Sequence, residues 1–220
     1  MQEAVHLGHT VRMGVEFTIL GRGRAGRALA EAWGGRVALA EHSARPEGLV
    51  LLAVPDRAVS GLAALFPGRC AHLAGSLDLE GVPCAHPLTS FDGRARDWAD
   101  TPLAITGPLQ DELRRAFGDL GFAAFDLPAE LKPLYHAAAV LTSGHAATLW
   151  LGAEALLRAR GVALPGRGLL PLAEATLRNL EAAGASGRTG PFARGNEATI
   201  VSEAEDLTPP WRELLMKADR

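Results

Sequence analysis

The sequence predicts a two-part α/β protein. A doubly wound sheet, mostly parallel and with helices on both faces, is followed by an all-helical region. Three observations carry this. First, Val15–Leu20 is a short apolar run that leads into Gly21-Arg22-Gly23-Arg24-Ala25-Gly26, and Arg27–Trp33 then has helical spacing. Second, Leu49-Val50-Leu51-Leu52-Ala53-Val54 is apolar without alternation, the pattern of a strand buried on both faces. Third, the strand pattern stops after Leu127, and the rest is rich in Ala and Leu with helical periodicity.

The elements follow in order. Phe17–Leu20 reads as the first strand and Arg24–Trp33 as the first helix, which Gly34-Gly35 ends. Arg36–Ala40 is the second strand and Leu49–Val54 the third, closed by Pro55-Asp56. A helix is expected over Ala58–Phe66, short strands over Arg69–Leu73 and Val82–Ala85, and a strand over Leu103–Thr106. A helix near Leu109–Leu120 and a strand at Phe122–Phe125 complete this half. Leu134–Arg160 is rich in Ala and Leu and has no proline, so it reads as one long helix. Leu170–Glu181, with Pro171 in its first turn, Glu197–Leu207 and Trp211–Ala218 are further helices. The expected division is an N-terminal extension over 1–14, a nucleotide-binding domain over 15–127 and a helical domain over 128–220.

Composition narrows the function classes. The 220 residues carry a formal net charge of −3, with no basic patch of the kind a nucleic-acid binder needs. No apolar run is long enough to cross a membrane, and the start lacks the features of a secretory signal. Cys70 and Cys84 form no C-x-x-C pair, so no metal site is expected and both are expected to be reduced in a cytoplasmic protein. Lys132 and Lys217 are the only lysines; the arginine bias fits a GC-rich genome or a thermophile, and the sequence does not separate the two.

The chemistry-bearing residues fall into groups. Gly21, Gly23 and Gly26, with Arg24 and Ala25 between them, form a G-x-G-x-x-G loop between a strand and a helix. In that setting the glycines allow a tight turn, close approach of a pyrophosphate and close helix–strand packing. Val54, Pro55 and Asp56 end the third strand and belong to the same cofactor edge. After the second strand, Glu41 suits the ribose of NAD, whereas Ser43 and Arg45 suit the 2′-phosphate of NADP; Arg45 tilts the expectation to NADP, with NAD as the alternative. His72 and His86 each follow a strand, where a proton donor for hydride chemistry is expected. His136 and Ser143 are seven residues apart and share a helical face. Arg194, in a Gly/Pro loop, is placed to clamp an anionic group.

Together these segments resemble a bacterial Rossmann-like family of unknown function, likened to deazaflavin-dependent NADP reductases. The resemblance rests on the glycine loop 21–26, Val-Pro-Asp at 54–56 and His-Pro-Leu-x-Ser-Phe at 86–91. It rests also on Tyr-His-Ala-Ala-Ala-Val-Leu at 135–141, Leu-Leu-Pro-Leu at 169–172, Asn-Leu at 179–180 and Thr-Gly-Pro-x-x-Arg-Gly at 189–195. It implies a Rossmann domain and a helical domain like those of pyrroline-5-carboxylate reductase, prephenate dehydrogenase and 6-phosphogluconate dehydrogenase. It implies NADP as ligand and a homodimer built by the helical domain. Ser143-Gly144-His145 stands where the family has Ser-Asn, and Asn196 where it has Asp, so no role is carried over to the missing amide. The expected function is an NADP(H)-dependent oxidoreductase acting on a small carbonyl, imine or hydroxy acid, through His86, His136, Ser143 and Arg194. The rival is a non-catalytic NADP-binding sensor or partner-binding dimer.

Overall fold

The computed structural model describes residues 16–205 and 207–217. The expected N-terminal extension, 1–14, lies outside them. The chain divides into two compact units, 1–143 and 144–220. The first unit therefore runs past Leu127 and takes in the start of the helical region.

The first unit is a seven-stranded sheet: β1 Phe17–Leu20, β2 Val37–Ala40, β3 Leu49–Leu52, β4 Cys70–His72, β5 Cys84–Pro87, β6 Pro102–Thr106 and β7 Ala123–Asp126. Their spatial order is β2-β1-β3-β4-β5-β6-β7. Helices α1 Arg24–Trp33, α2 Asp56–Ala63 and α3 Gln110–Gly118 cover its faces. One core packs Ile19 and Leu51 with Leu29 and Trp33 of α1 and Phe117 of α3. The other packs Leu20, Val50 and Leu52 with Val59 and Ala63 of α2 and with Phe66. Two covered faces explain why β3 shows no polar alternation. Strands β1 to β5 are parallel, but β5 pairs with β6 antiparallel, so β6 and β7 run the other way. The β5–β6 connection, residues 88–101, contains no helix, and the chain returns along β5 in the opposite sense. Trp98 anchors that connection, buried and stacked on Phe122 at 5.2 Å.

The strand order changes direction at β1 and β3, since β2 lies on one side of β1 and β3 to β5 on the other. Ligands of open α/β sheets bind at such a switch point, beyond the carboxyl ends of the strands. Both the glycine loop and Ala53–Pro55 follow strands that meet there.

The expected single helix over 134–160 is interrupted. It forms as α4 Lys132–Val140, a five-residue π turn Leu141–His145, and α5 Ala146–Ala159. The Thr142 and Ser143 hydroxyls donate to the Ala138 and Ala139 carbonyls at 2.9 and 2.8 Å. Such back-bonding to the preceding turn, beside Gly144, loosens regular α-helical pairing.

The second unit holds α5, α6 Leu170–Ala183, the short α7 Gly190–Ala193, α8 Glu197–Glu205 and α9 Pro209–Lys217. Gly152 lies against the Trp211 ring, where an added Cβ would stand 2.3 Å from it. Ile200 and Ala204 are buried, but α5 and α6 bury no residue. Among the described residues, no helix is long and apolar enough to cross a membrane.

Candidate functional site

The glycine loop is held shut where it must be and open where a ligand would approach. Gly21 has φ +116°, and a Cβ there would stand 2.2 Å from the Ala53 carbonyl oxygen. A Cβ on Gly26 would stand 1.9 Å from the Gly21 carbonyl oxygen, so helix and loop touch. Gly23, at the N-cap of α1, has nothing within 4 Å of its Cβ direction. The loop is tied from behind by Arg27, whose Nη1 donates to the Arg22 carbonyl at 2.8 Å. The unpaired amides at the start of α1 thus face open space, the environment a pyrophosphate needs. The residues present fit a dinucleotide.

Three cavities lie along this edge of the first unit. One, of about 310 Å³, is lined by Gly21, Arg22, Gly23, His42 and Arg57 with Ala53–Pro55. The next, of about 330 Å³, shares Gly23 and Ala53–Pro55 with it and adds Arg24, Ala25, Asp56, His86 and Thr89. The third, of about 380 Å³, shares His86 and Thr89 and adds Tyr135, His136 and Ser143, with Leu88 and Ala138–Val140 as apolar wall. The shared walls make one cleft with three compartments.

His86 stands at its centre, on β5. Its ring packs against Gly75, where a Cβ would come within 2.8 Å of it. Its Nδ1 and the Tyr135 hydroxyl are 2.9 Å apart, and the two rings meet edge to face. Burial holds His86 at a pKa of about 4, helped by His136 and by the Lys132 charge. Burial pushes the Tyr135 phenol up to about 12. Both groups therefore stay uncharged across the neutral range. His136, one residue on, has its ring centroid 6.1 Å from that of His86, and its buried Nδ1 has no hydrogen-bond partner among the described residues.

Beneath this end lies a buried cluster. Lys132 opens α4 and is 2% exposed; it sits three and four residues before Tyr135 and His136, on their face of the helix. Burial raises the Cys84 thiol, against a hydrogen bond from Lys132 that lowers it. His72 is fully buried on β4, and its Nδ1 accepts from the Ala74 amide at 3.2 Å. Burial and Lys132 take its pKa down to about 4. His72 lines none of the three cavities and orders its own loop instead.

Of the residues singled out in the sequence, Gly21, Gly23, Arg24, Ala25, Val54, Pro55 and Asp56 line the first two compartments, and His86, His136 and Ser143 the third. Gly26 acts from behind, by its packing. Asp56 accepts from the Ser76 hydroxyl at 2.5 Å. Ser43 and Arg45 line none of them: Arg45 Nη1 donates to the Ser43 and Ala44 carbonyls at 2.8 and 2.9 Å. Arg194 is an exposed residue of the second unit, just after α7. Asn196, in place of an aspartate, caps α8 by accepting from the Thr199 amide at 3.3 Å, a role either side chain performs. Sequence reasoning did not single out Tyr135 as a site residue, nor Arg22, His42 and Arg57. The sequence signal for Tyr135 was its place beside His136 in a recognisable segment; for the two arginines it was adjacency to the glycine loop and to Val-Pro-Asp.

Solved structures share this fold. The chain matches BF3122 of Bacteroides fragilis, provisionally named an NADP oxidoreductase, at 20% identity with a TM-score of 0.73, over 93% of this chain and 96% of that one. It matches protein TM1727 of Thermotoga maritima at 19% identity with a TM-score of 0.72, over 92% and 98%. It matches a reductive aminase of Aspergillus terreus, solved in complex with NADPH and ethyl levulinate, at 15% identity with a TM-score of 0.55, over 93% of each. The fold is thus a Rossmann-type sheet with a helical C-terminal region, as in NADP-dependent oxidoreductases. No curated protein matches the chain in sequence. Residues 101–218 match the model of a domain of unknown function, DUF2520, and the chain belongs to that Rossmann-like family.

Proposed function

We propose that this protein is an NADP(H)-dependent oxidoreductase that reduces a small carbonyl or imine, or runs the reverse oxidation. The observation that carries the reading is the continuity of the cleft: a glycine-loop compartment, a middle compartment and a histidine compartment share their walls. Gly23, Arg24 and Ala25 would hold the pyrophosphate, and Val54–Asp56 with His86 and Thr89 would flank the nicotinamide end. When bound, the nicotinamide supplies or accepts a hydride. The reductive aminase of the same fold was captured with NADPH, which supports the choice of cofactor.

The chain's own residues then manage a proton. Hydride addition to a carbonyl or imine carbon builds negative charge on oxygen or nitrogen. Tyr135 carries a phenolic proton at the wall of the third compartment, where it can meet that negative charge. In the tautomer that donates from Nδ1, His86 replaces the proton on the Tyr135 oxygen as it leaves, and Nε2 takes up the next one. Ala138, Ala139 and Val140 offer the substrate an apolar face.

We also propose that two copies pair through the helical unit. Leu151 is 69% exposed on α5 and Leu172 66% on α6, more apolar surface than a lone helix pair leaves in water. Light scattering is expected to give twice the 23.1 kDa chain mass.

The test is binding followed by turnover. NADPH is expected to bind in a fluorescence titration, and a carbonyl and imine panel to yield cofactor-dependent turnover. Tyr135→Phe and His86→Gln are each expected to lower the rate about a hundredfold while NADPH still binds. If no dinucleotide binds, the reading fails. If NADPH binds but no substrate turns over above background, the protein is a dinucleotide-binding sensor.

A further inference from the structure

We infer that the outermost compartment is an anion subsite for the 2′-phosphate of NADP, formed by Arg22, His42 and Arg57, with Glu41 as the counter-ion of Arg22 when the phosphate is absent. The inference rests on the dinucleotide reading above and concerns which dinucleotide is chosen, and by what. The three side chains follow three neighbouring strands: His42 follows β2, Arg22 follows β1, and Arg57 lies in the first turn of α2 after β3. They line one cavity of about 310 Å³ beside Gly21 and Gly23, and no carboxylate lines it. Two guanidinium groups and an imidazole around a space of that size fit a phosphomonoester better than a bare ribose hydroxyl.

Glu41 is the residue that by position would select NAD. It is not on the cavity wall: its Oε1 accepts from Arg22 Nη1 at 3.2 Å. Both side chains of that pair are more than half exposed, so the pair is weak and an arriving dianion displaces it readily. Arg57 has no hydrogen bond or ion pair through its guanidinium among the described residues, so it needs no release. Arg45, the arginine that position alone would nominate, is folded back on its own loop carbonyls.

The experiment is calorimetry with NADP⁺, NAD⁺ and 2′,5′-ADP on the wild type, Arg22→Ala, Arg57→Ala, Arg45→Ala and Glu41→Gln. All four positions are exposed, so the variants are expected to fold. Arg22→Ala and Arg57→Ala are each expected to weaken NADP⁺ and 2′,5′-ADP about tenfold and to leave NAD⁺ within about twofold. Glu41→Gln is expected to strengthen NADP⁺ about threefold, and Arg45→Ala to change neither. Equal wild-type affinity for the two dinucleotides, or equal weakening of both by the arginine variants, overturns the inference and leaves the dinucleotide reading standing. Failure of both dinucleotides to bind overturns that reading, and this one with it.

Discussion

The two ends of the cleft are built on opposite principles. At the glycine end, the groups proposed to bind are backbone amides and exposed guanidinium groups. At the histidine end, His86 and Tyr135 lie over a buried Lys132, Cys84 and His72, and burial is what fixes their protonation. An anion can be held by charges that remain in water, because the phosphate stays partly hydrated. A proton relay needs groups whose charge state does not drift with the medium, and a low-dielectric site provides that.

The largest effect is expected where the glycine end is closed. Gly26→Ala forces a methyl into the Gly21 carbonyl oxygen, and backbone on both sides must move. A loss of about 3 kcal/mol in chemical denaturation is expected, with loss of NADP binding. Gly23→Ala sharpens the contrast, because its Cβ meets nothing within 4 Å. That variant is expected to keep its stability to within about 1 kcal/mol and still bind NADP more weakly, since the methyl occupies the ligand's approach. Equal destabilisation by both would show that the loop is only a packing device.

Acid is the second way to separate the two ends. Unfolded histidine protonates near pH 6.5, whereas buried His72 does so only near 4. Between those values the unfolded chain binds more protons than the folded one, so stability falls as the pH drops through this window and is level above it. For His72 alone the loss by pH 4 is about 3 kcal/mol. His86 is held as low and contributes alike, so His72→Leu is expected to remove about half of the fall in denaturant midpoints between pH 6.5 and 4. The glycine end has no such group, and NADP affinity should be insensitive to His72→Leu at pH 7.

These contrasts also explain what could be read in the sequence. The glycine loop is legible because its chemistry is local: six residues contain the turn, the packing and the opening. β3 is legible because burial on two faces imposes an apolar run. The reversal of β6 and β7 was not, since it depends on a long connection pinned by Trp98 on Phe122. The π turn was not, since it arises where two hydroxyls bond back to the previous turn. The partnership of His86 with Tyr135 joins residues 49 apart, which spacing rules for helices or strands do not reach. Arg45 was nominated by its place after β2, yet its guanidinium is taken by carbonyls of its own loop.

Lys132→Met tests whether the buried cluster only packs or also tunes. The Lys132 charge lowers both His72 and His86. Replacing a buried cation by an apolar chain of similar length is expected to leave stability at pH 7 unchanged or slightly higher. The acid limb of the rate profile is expected to move up, because His86 then protonates more easily. A changed stability with an unmoved limb would make Lys132 a structural residue only.

The smallest effect is expected within the histidine end itself. Ser143 lines the third compartment, and by position it looks like a catalytic hydroxyl. Its hydrogen is already given to the Ala139 carbonyl at 2.8 Å, so it has no proton to offer and only oxygen lone pairs facing the cavity. Ser143→Ala removes that back-bond and lets the π turn relax toward regular helix. Less than a threefold change in kcat is expected, with any effect appearing in KM, because a lost acceptor alters how substrate sits and not how the proton moves. A kcat loss as large as that of Tyr135→Phe would shift the proton-bearing role from Tyr135 to Ser143. The relay would then have to run through the π turn, with His136, whose Nδ1 has no partner among the described residues, as its second member.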